Sequence, residues 1–197
     1  MVTTAPRVSS ELLAYLQASG LVRRGHYAFR SGRHSEALLD RDRLLADPAI
    51  ASRMGYALAK AFFTDHVETV ATPSIWGVGL AQWTGYFLEP RAKVVFSTPS
   101  RNGQRAIAEP LHDWITGRRL LLVDNLVISG TTMSAFCDSI ERLGGTILGI
   151  GTLWDGTGEC IRSHEVLGLL NDLYPAYPPD DCPLCSQGEV PVERIPY

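Results

Sequence analysis

Between Leu120 and Thr132 the chain reads Leu-Leu-Leu-Val-Asp-Asn-Leu-Val-Ile-Ser-Gly-Thr-Thr, an apolar run that meets an acid and then turns through small hydroxyl residues and glycine. This order predicts a buried strand over Arg119 to Asp124, a short loop, and a helix over Thr132 to Leu143. The first N–H groups of such a helix lack intrahelical acceptors and point back toward the strand end, where the helix dipole adds positive potential. The segment is then a phosphate cradle: backbone N–H groups attract the anion, Ser129, Thr131 and Thr132 add hydroxyl donors, and Gly130 permits close approach. Asp124 and Asn125, on the same rim, are placed to accept hydrogen bonds from sugar hydroxyls or to hold a metal-bound water. A tight strand-to-helix turn with a threonine cap is the plainer reading of the same residues.

The flanking segments supply a sheet for that strand. Val67 to Ala71, Ala92 to Ser97 and Thr146 to Leu153 read as further strands, with a helix over Gly77 to Leu88 between the first two. Strands alternating with helices predict an α/β fold, a parallel sheet flanked by helices. Ligands of such sheets bind beyond the carboxyl ends of the strands, which selects Thr72 to Gly77, Ser97 to Gln104, Asp124 to Thr132 and Trp154 to Gly158 as functional loops. Upstream, Ser9 or Ser10 starts a short helix that stops at Gly20. Asp47-Pro48 opens another through Ile50, Met54, Leu58 and Phe62. Between these helices, two extended pieces around His26 to Phe29 and Ala37 to Leu39 flank the turn Ser31-Gly32-Arg33. From Tyr174 the chain is rich in proline and reads as an extended tail over the surface.

The 197 residues, 45% hydrophobic, fit a single domain over 1–197 with a real core. A net charge of −3 and no long basic run argue against nucleic acid as a partner. No apolar stretch approaches the roughly 20 residues of a membrane span, so a cytoplasmic protein with no membrane partner is expected. In that compartment Cys182-Pro183-Leu184-Cys185 suits a metal or redox site better than a disulfide.

The segment from Leu120 to Thr132 resembles the phosphoribosyl pyrophosphate (PRPP) loop of type I phosphoribosyltransferases, in which two acids and a Thr/Ser/Gly run hold the ribose 5-phosphate. Gly25-His26-Tyr27-Ala28-Phe29-Arg30-Ser31-Gly32-Arg33-His34-Ser35, followed by Leu39, Asp40 and Asp47-Pro48, is similar to the N-terminal hood of bacterial orotate phosphoribosyltransferases. The ending Cys182-Pro183-Leu184-Cys185 with Gly188 and Pro191 resembles that of one branch of the same family. The resemblance implies a type I phosphoribosyltransferase-like parallel sheet of five strands flanked by helices, with a small N-terminal hood from about 20 to 45 and a tail from about 174 to 197. It also implies a homodimer and magnesium-dependent transfer of phosphoribose from PRPP to a nitrogen of a small, pyrimidine-like base. Ser129, Gly130, Thr131 and Thr132 would bind the 5-phosphate, and Asp124 with Asn125 would face the ribose. Thr72 to Gly77, with Trp76, falls at the pyrophosphate loop, and Phe29 and Arg30 would lie near the base.

Four positions depart from that pattern. Asn125 replaces the second acid and removes one charge from the reaction centre. Trp76 stands where the family keeps a small glycine, and its indole crowds a backbone that must approach a diphosphate. The mobile loop that usually carries lysine reads Phe96 to Arg105; its cations are Arg101 and Arg105, leaving Arg101 to neutralise the leaving group, and Pro99 stiffens it. After Leu153 the family pairs an arginine with an aspartate to grip the orotate carboxylate, whereas this chain has Trp154-Asp155-Gly156-Thr157, so Arg30 or Arg33 would have to substitute.

Cys160, His164, Cys182 and Cys185 offer three thiols and an imidazole at spacings used by structural zinc, with free thiols and a surface histidine as the alternative. His26 and His34 flank the hood turn and read as structural, Cys137 as a small core residue, and Trp76 and Trp154 as rings able to stack on a base. The leading functional reading is a phosphoribosyltransferase using PRPP and magnesium, with orotate as default acceptor. Two others are a non-catalytic PRPP or nucleotide sensor that keeps only the cradle, and a transferase with a changed acceptor.

Overall fold

The structure, a computed structural model, describes residues 10–99, 105–158, 160–170, 175–188 and 191–196, without the side chains of 10–12. In chain order its elements are α1 (Ser10–Ala18), β1 (Val22–Ala28), β2 (His34–Leu39), α2 (Arg41–Ala46), α3 (Pro48–Ala61), β3 (Thr69–Thr72), α4 (Val78–Phe87), β4 (Lys93–Pro99) and β5 (Arg105–Ile107). They continue with β6 (Arg119–Val127), α5 (Thr131–Arg142), β7 (Thr146–Asp155), β8 (Val166–Gly168), α6 (Pro183–Gln187) and β9 (Val192–Arg194). Strands β4, β3, β6, β7 and β8 are parallel neighbours in that order, and β5 adds an antiparallel edge against β4. The expected parallel α/β sheet flanked by helices is therefore present.

The apolar runs of β3 and β6 are buried on both faces, as strands between two helical layers must be. Leu121 and Val123 pack with Leu58, Leu80 and Leu153 on the side of α3 and α4. Leu120 and Leu122 pack with Met133, Phe136, Ile140 and Ile150 on the side of α5. Cys137, fully buried in the second cluster, is the small core residue expected. Close approach of α3 requires Gly149 on β7, because a Cβ there would stand 2.8 Å from the Phe62 ring.

Beyond the added short elements α2, β5, β8 and α6, two differences from the sequence expectation bear on the site. β6 does not stop at Asp124 but continues to Val127, because Leu126 and Val127 are buried and pair with Trp154 and Asp155 of β7. The tail does not merely lie on the surface; β9 pairs in parallel with β1, so that β2, β1 and β9 form a second sheet. Ahead of β9, Tyr177 exchanges backbone hydrogen bonds of 2.8 and 2.7 Å with His34. The Arg33 guanidinium donates to the Ala176 carbonyl at 2.7 Å. Ser9, a candidate cap of α1, lies outside the described residues. Among the described residues no helix is long and apolar enough to cross a membrane.

The helix opening at Asp47-Pro48 forms as expected: Asp47 Oδ1 accepts from the backbone N–H of Ala49 at 2.8 Å and of Ile50 at 3.3 Å, with Pro48 in the first turn. Asp47→Ala leaves those donors to water and lowers stability by about 1 kcal/mol in urea denaturation; an unchanged midpoint would show that the cap carries no weight.

Candidate functional site

A cleft of about 690 Å³ opens at the carboxyl end of β6. Its floor is the turn Ile128-Ser129-Gly130 with Thr131, Thr132 and Met133 at the start of α5. Gly130 makes the turn possible: it adopts φ +77°, and a Cβ there would press within 3.2 Å of the Ile161 side chain. No side chain caps α5. The threonine-cap reading is thus not what the backbone adopts, and the N-terminus of α5 is presented to the cleft with the exposed hydroxyls of Ser129, Thr131 and Thr132 around it.

The walls carry Arg30, Arg41 and Arg105, and Asp124 is the one carboxylate among the described lining residues. This is a strongly cationic surround for an acid. Burial nonetheless dominates at Asp124 and pushes its carboxyl up to about 6, against the lowering effect of the Asn125 N–H, 2.8 Å from Oδ1, and of Arg41 and Arg105. The cleft is therefore built to take more negative charge, and its carboxylate is poised near neutrality.

Of the residues expected at the site, Asp124, Ser129, Gly130, Thr131, Thr132, Trp76 and Arg30 line this cleft. Asn125 does not. Successive residues of a strand point to opposite faces, and Asn125 is 1% exposed, its side-chain amide donating 2.8 Å to the Trp76 carbonyl. The substituted acid therefore acts on the neighbouring loop rather than on a sugar. Thr72 and Gly77 lie beneath that loop instead of lining the cleft: Thr72 is fully buried, and a Cβ on Gly77 would collide with its hydroxyl. Trp76 stands on the rim, 65% exposed, so its indole does not fill the volume. Phe29 is buried and packs edge-on against Trp154, ring centres 5.6 Å apart. Neither ring is presented for stacking on a base. Arg101 lies outside the described residues.

Three lining positions were not assigned a site role from sequence. Arg41, at the start of α2, is one of sixteen arginines with nothing local to distinguish it. Ser74 and Arg105 were legible only as members of candidate loops; Arg105 also donates to the Pro73 carbonyl at 2.9 Å, tying β5 to the loop after β3. The Arg33 guanidinium donates to the Ala176 carbonyl, and a Cβ on Gly156 would meet the Ala176 Cβ at 2.7 Å. No arginine fits at 156 while the tail occupies this place, which leaves Arg30 as the hood cation in the cleft.

The proposed ligand set Cys160, His164, Cys182 and Cys185 is not assembled. Cys160 is exposed beside the start of α5, and His164 lies 3.8 Å from Glu141 on the same helix. Because β9 draws the tail along β1, Cys182 and Cys185 instead meet His26 and His34, all four potential ligand atoms within 4.8 Å of one another. The CxxC pair was legible; its histidines were not, because the contact spans about 150 residues.

A parallel sheet carrying an anion cradle at the end of its central strand, beneath a separate small sheet, defines the class of type I phosphoribosyltransferases. No family model matches the chain. Orotate phosphoribosyltransferase of Thermus thermophilus is 32% identical over 186 residues, which cover 94% of this chain and all of that protein. Among solved structures, orotate phosphoribosyltransferase of Aeropyrum pernix matches with TM-score 0.60 at 20% identity, covering 93% of this chain and 91% of that one. The Mycobacterium tuberculosis enzyme in complex with 5-phospho-α-D-ribosyl 1-diphosphate gives 0.55 at 17% identity, covering 66% and 78%. The chain belongs to the orotate phosphoribosyltransferase family, and it is accordingly a phosphoribosyltransferase, an enzyme of the pentosyltransferase class.

Two outcomes follow from this geometry. Restoring an acid with Asn125→Asp replaces a donor by a carboxylate against the Trp76 carbonyl, in a place without solvent. It should destabilise the fold by about 2 kcal/mol in chemical denaturation, whereas a neutral result would mean the Asn125 contact is not formed. Asp124 has its folded pKa above the unfolded value, so the folded protein bears a cost once this group ionises. Relative to wild type, Asp124→Asn should be more stable by on the order of 2 kcal/mol at pH 7.5, with the advantage fading as pH falls from about 6 toward 4. An advantage independent of pH would place its origin elsewhere.

Proposed function

We propose that the chain binds PRPP in this cleft and transfers its phosphoribosyl group to a nitrogen of a pyrimidine-like base, with orotate as the first acceptor to test. The observation that carries the reading is the convergence of the uncapped α5 N-terminus, Asp124, Arg41 and Arg105 on one cleft. The 5-phosphate would sit on the backbone N–H groups and hydroxyls from Ser129 to Thr132. The diphosphate would lie toward Ser74 and Arg105, with Arg41 adding positive charge. The reaction breaks the bond from the ribose anomeric carbon to the diphosphate oxygen, whose electron pair leaves with pyrophosphate. The base nitrogen supplies the pair for the new glycosidic bond. Between the two, cationic character on the ribose is opposed by the Asp124 carboxylate, held in place by the Asn125 N–H.

Magnesium belongs to this reading, and the donor set suits it, because Mg²⁺ is commonly held by one or two carboxylates together with substrate phosphates and waters. Asp124 is the carboxylate that would hold it, and when bound the ion would neutralise diphosphate charge. A homodimer also belongs to the reading; the half-exposed aromatic group of Tyr56, Trp83, Tyr86 and Phe87 on α3 and α4 is apolar surface suited to it. A changed acceptor is favoured by one observation: Gly156 packs on Ala176, leaving no room for an arginine there.

Calorimetric titration of PRPP with and without magnesium, with ribose 5-phosphate as control, tests the binding step. Pyrophosphate release with orotate, uracil and other bases tests the transfer. Magnesium-dependent PRPP binding tighter than the control, with turnover that Asp124→Ala lowers by at least about 100-fold, is expected. PRPP binding no tighter than ribose 5-phosphate, or pyrophosphate release untouched by Asp124→Ala, would overturn the reading. Turnover with uracil but not orotate would identify the changed acceptor.

A further inference from the structure

Outside the lining of the cleft, four side chains with metal-ligating atoms converge from two distant parts of the chain. His26 is on β1 and His34 begins β2, while Cys182 immediately precedes α6 and Cys185 lies within it. His26 Nε2 lies 3.0 Å from His34 Nδ1, 3.5 Å from Cys182 Sγ and 3.6 Å from Cys185 Sγ. Cys185 Sγ lies 3.2 Å from His34 Nδ1. A tetrahedral zinc ion with Zn–N near 2.05 Å and Zn–S near 2.3 Å sets ligand-to-ligand edges of about 3.4 Å for N to N, about 3.5 Å for N to S and about 3.8 Å for S to S. The four measured edges follow that scale to within about 0.4 Å, with two nitrogens and two sulfurs, each ring using a different nitrogen.

We propose that His26 Nε2, His34 Nδ1, Cys182 Sγ and Cys185 Sγ bind one zinc ion, which staples the tail to the hood. A closed Cys₂His₂ set leaves no open position, so the ion is structural. The staple has a defined mechanical consequence. His26 and His34 bracket the turn that presents Arg30 and Ser31 to the cleft, and the tail beyond Cys185 runs through β9 to Pro196, which lines the same cleft. Joining the two fixes the part of the cleft that Arg30, Ser31 and Pro196 line. Carbonyls and N–H groups already link these segments: Tyr177 with His34, and Ile195 with Ala28. The metal adds a cross-link between residues more than 140 apart in sequence.

The test is metal content of the full chain, purified without chelator and, separately, stripped and reloaded with one equivalent of zinc. Elemental analysis should find one zinc per chain. The cobalt-substituted protein should show the intense visible absorption of tetrahedral cobalt and a thiolate charge-transfer band. Cys185→Ser, at an exposed position chosen to spare folding, should lose the thiolate band intensity and bind zinc at least about 10-fold more weakly. Cys160→Ser and His164→Ala, outside the cluster, should keep both the metal and the spectrum. Stripping the wild type should lower its melting temperature by several degrees, reversed by zinc. The proposal is overturned if the reduced, reloaded chain retains no stoichiometric zinc, if mass mapping of protein purified under reducing conditions finds a Cys182–Cys185 disulfide, or if Cys160→Ser loses metal as Cys185→Ser does. These readouts do not depend on transferase activity.

Discussion

β6 lies between β3 and β7 with both of its faces covered, and its extension to Val127 decides how the site is built. A strand with helices on both sides must carry apolar residues along its length, and past the exposed Arg119 the one position of β6 that is not buried is Asp124, where the strand meets the cleft. Pairing with β7 as far as Asp155 holds the strand straight through that point, so Asp124 and Asn125 cannot share a task. One lines the cleft; the other secures the loop carrying Trp76. The turn that follows is short, which is why Gly130 takes a left-handed conformation and why α5 begins without a side-chain cap.

The balance of charge follows from the same arrangement. Among the described residues three arginines and a helix N-terminus line the cleft with one carboxylate, yet desolvation raises that carboxylate against the lowering effect of Arg41 and Arg105. The cationic lining of this cleft suits an anionic ligand. Substitutions that look like losses against the family pattern are compatible with this: Asn125 removes a buried charge from a place that could not solvate it, and Gly156 makes way for the tail.

Fold and cradle were legible in the sequence because each rests on local rules. Asp47-Pro48 caps α3 through atoms two and three residues away, the apolar runs of β3, β4, β6 and β7 match the sheet, and the Ser129 to Thr132 turn opens α5 beside Asp124. Reading failed where partners are remote. Arg41 could not be told from other arginines until β2 and α2 placed it over Asp124. Trp154 turned from a stacking candidate into a core residue because Phe29 of the hood covers it.

The tail shows the division most plainly. Cys182-Pro183-Leu184-Cys185 alone offered a pair of thiols suited to a metal or redox site, since two cysteines three apart can share one ion. Their companions were a tertiary decision. β9 adding to the edge of β1 brings residues near 180 against residues near 30, so the thiols meet His26 and His34 and not the nearer Cys160 and His164. Sequence by itself determines strands, caps and turns, whose energies arise between residues a few positions apart. Which side chains converge on a cleft or a metal is set by sheet order and edge pairing, interactions that exist only once the chain has closed its long loops.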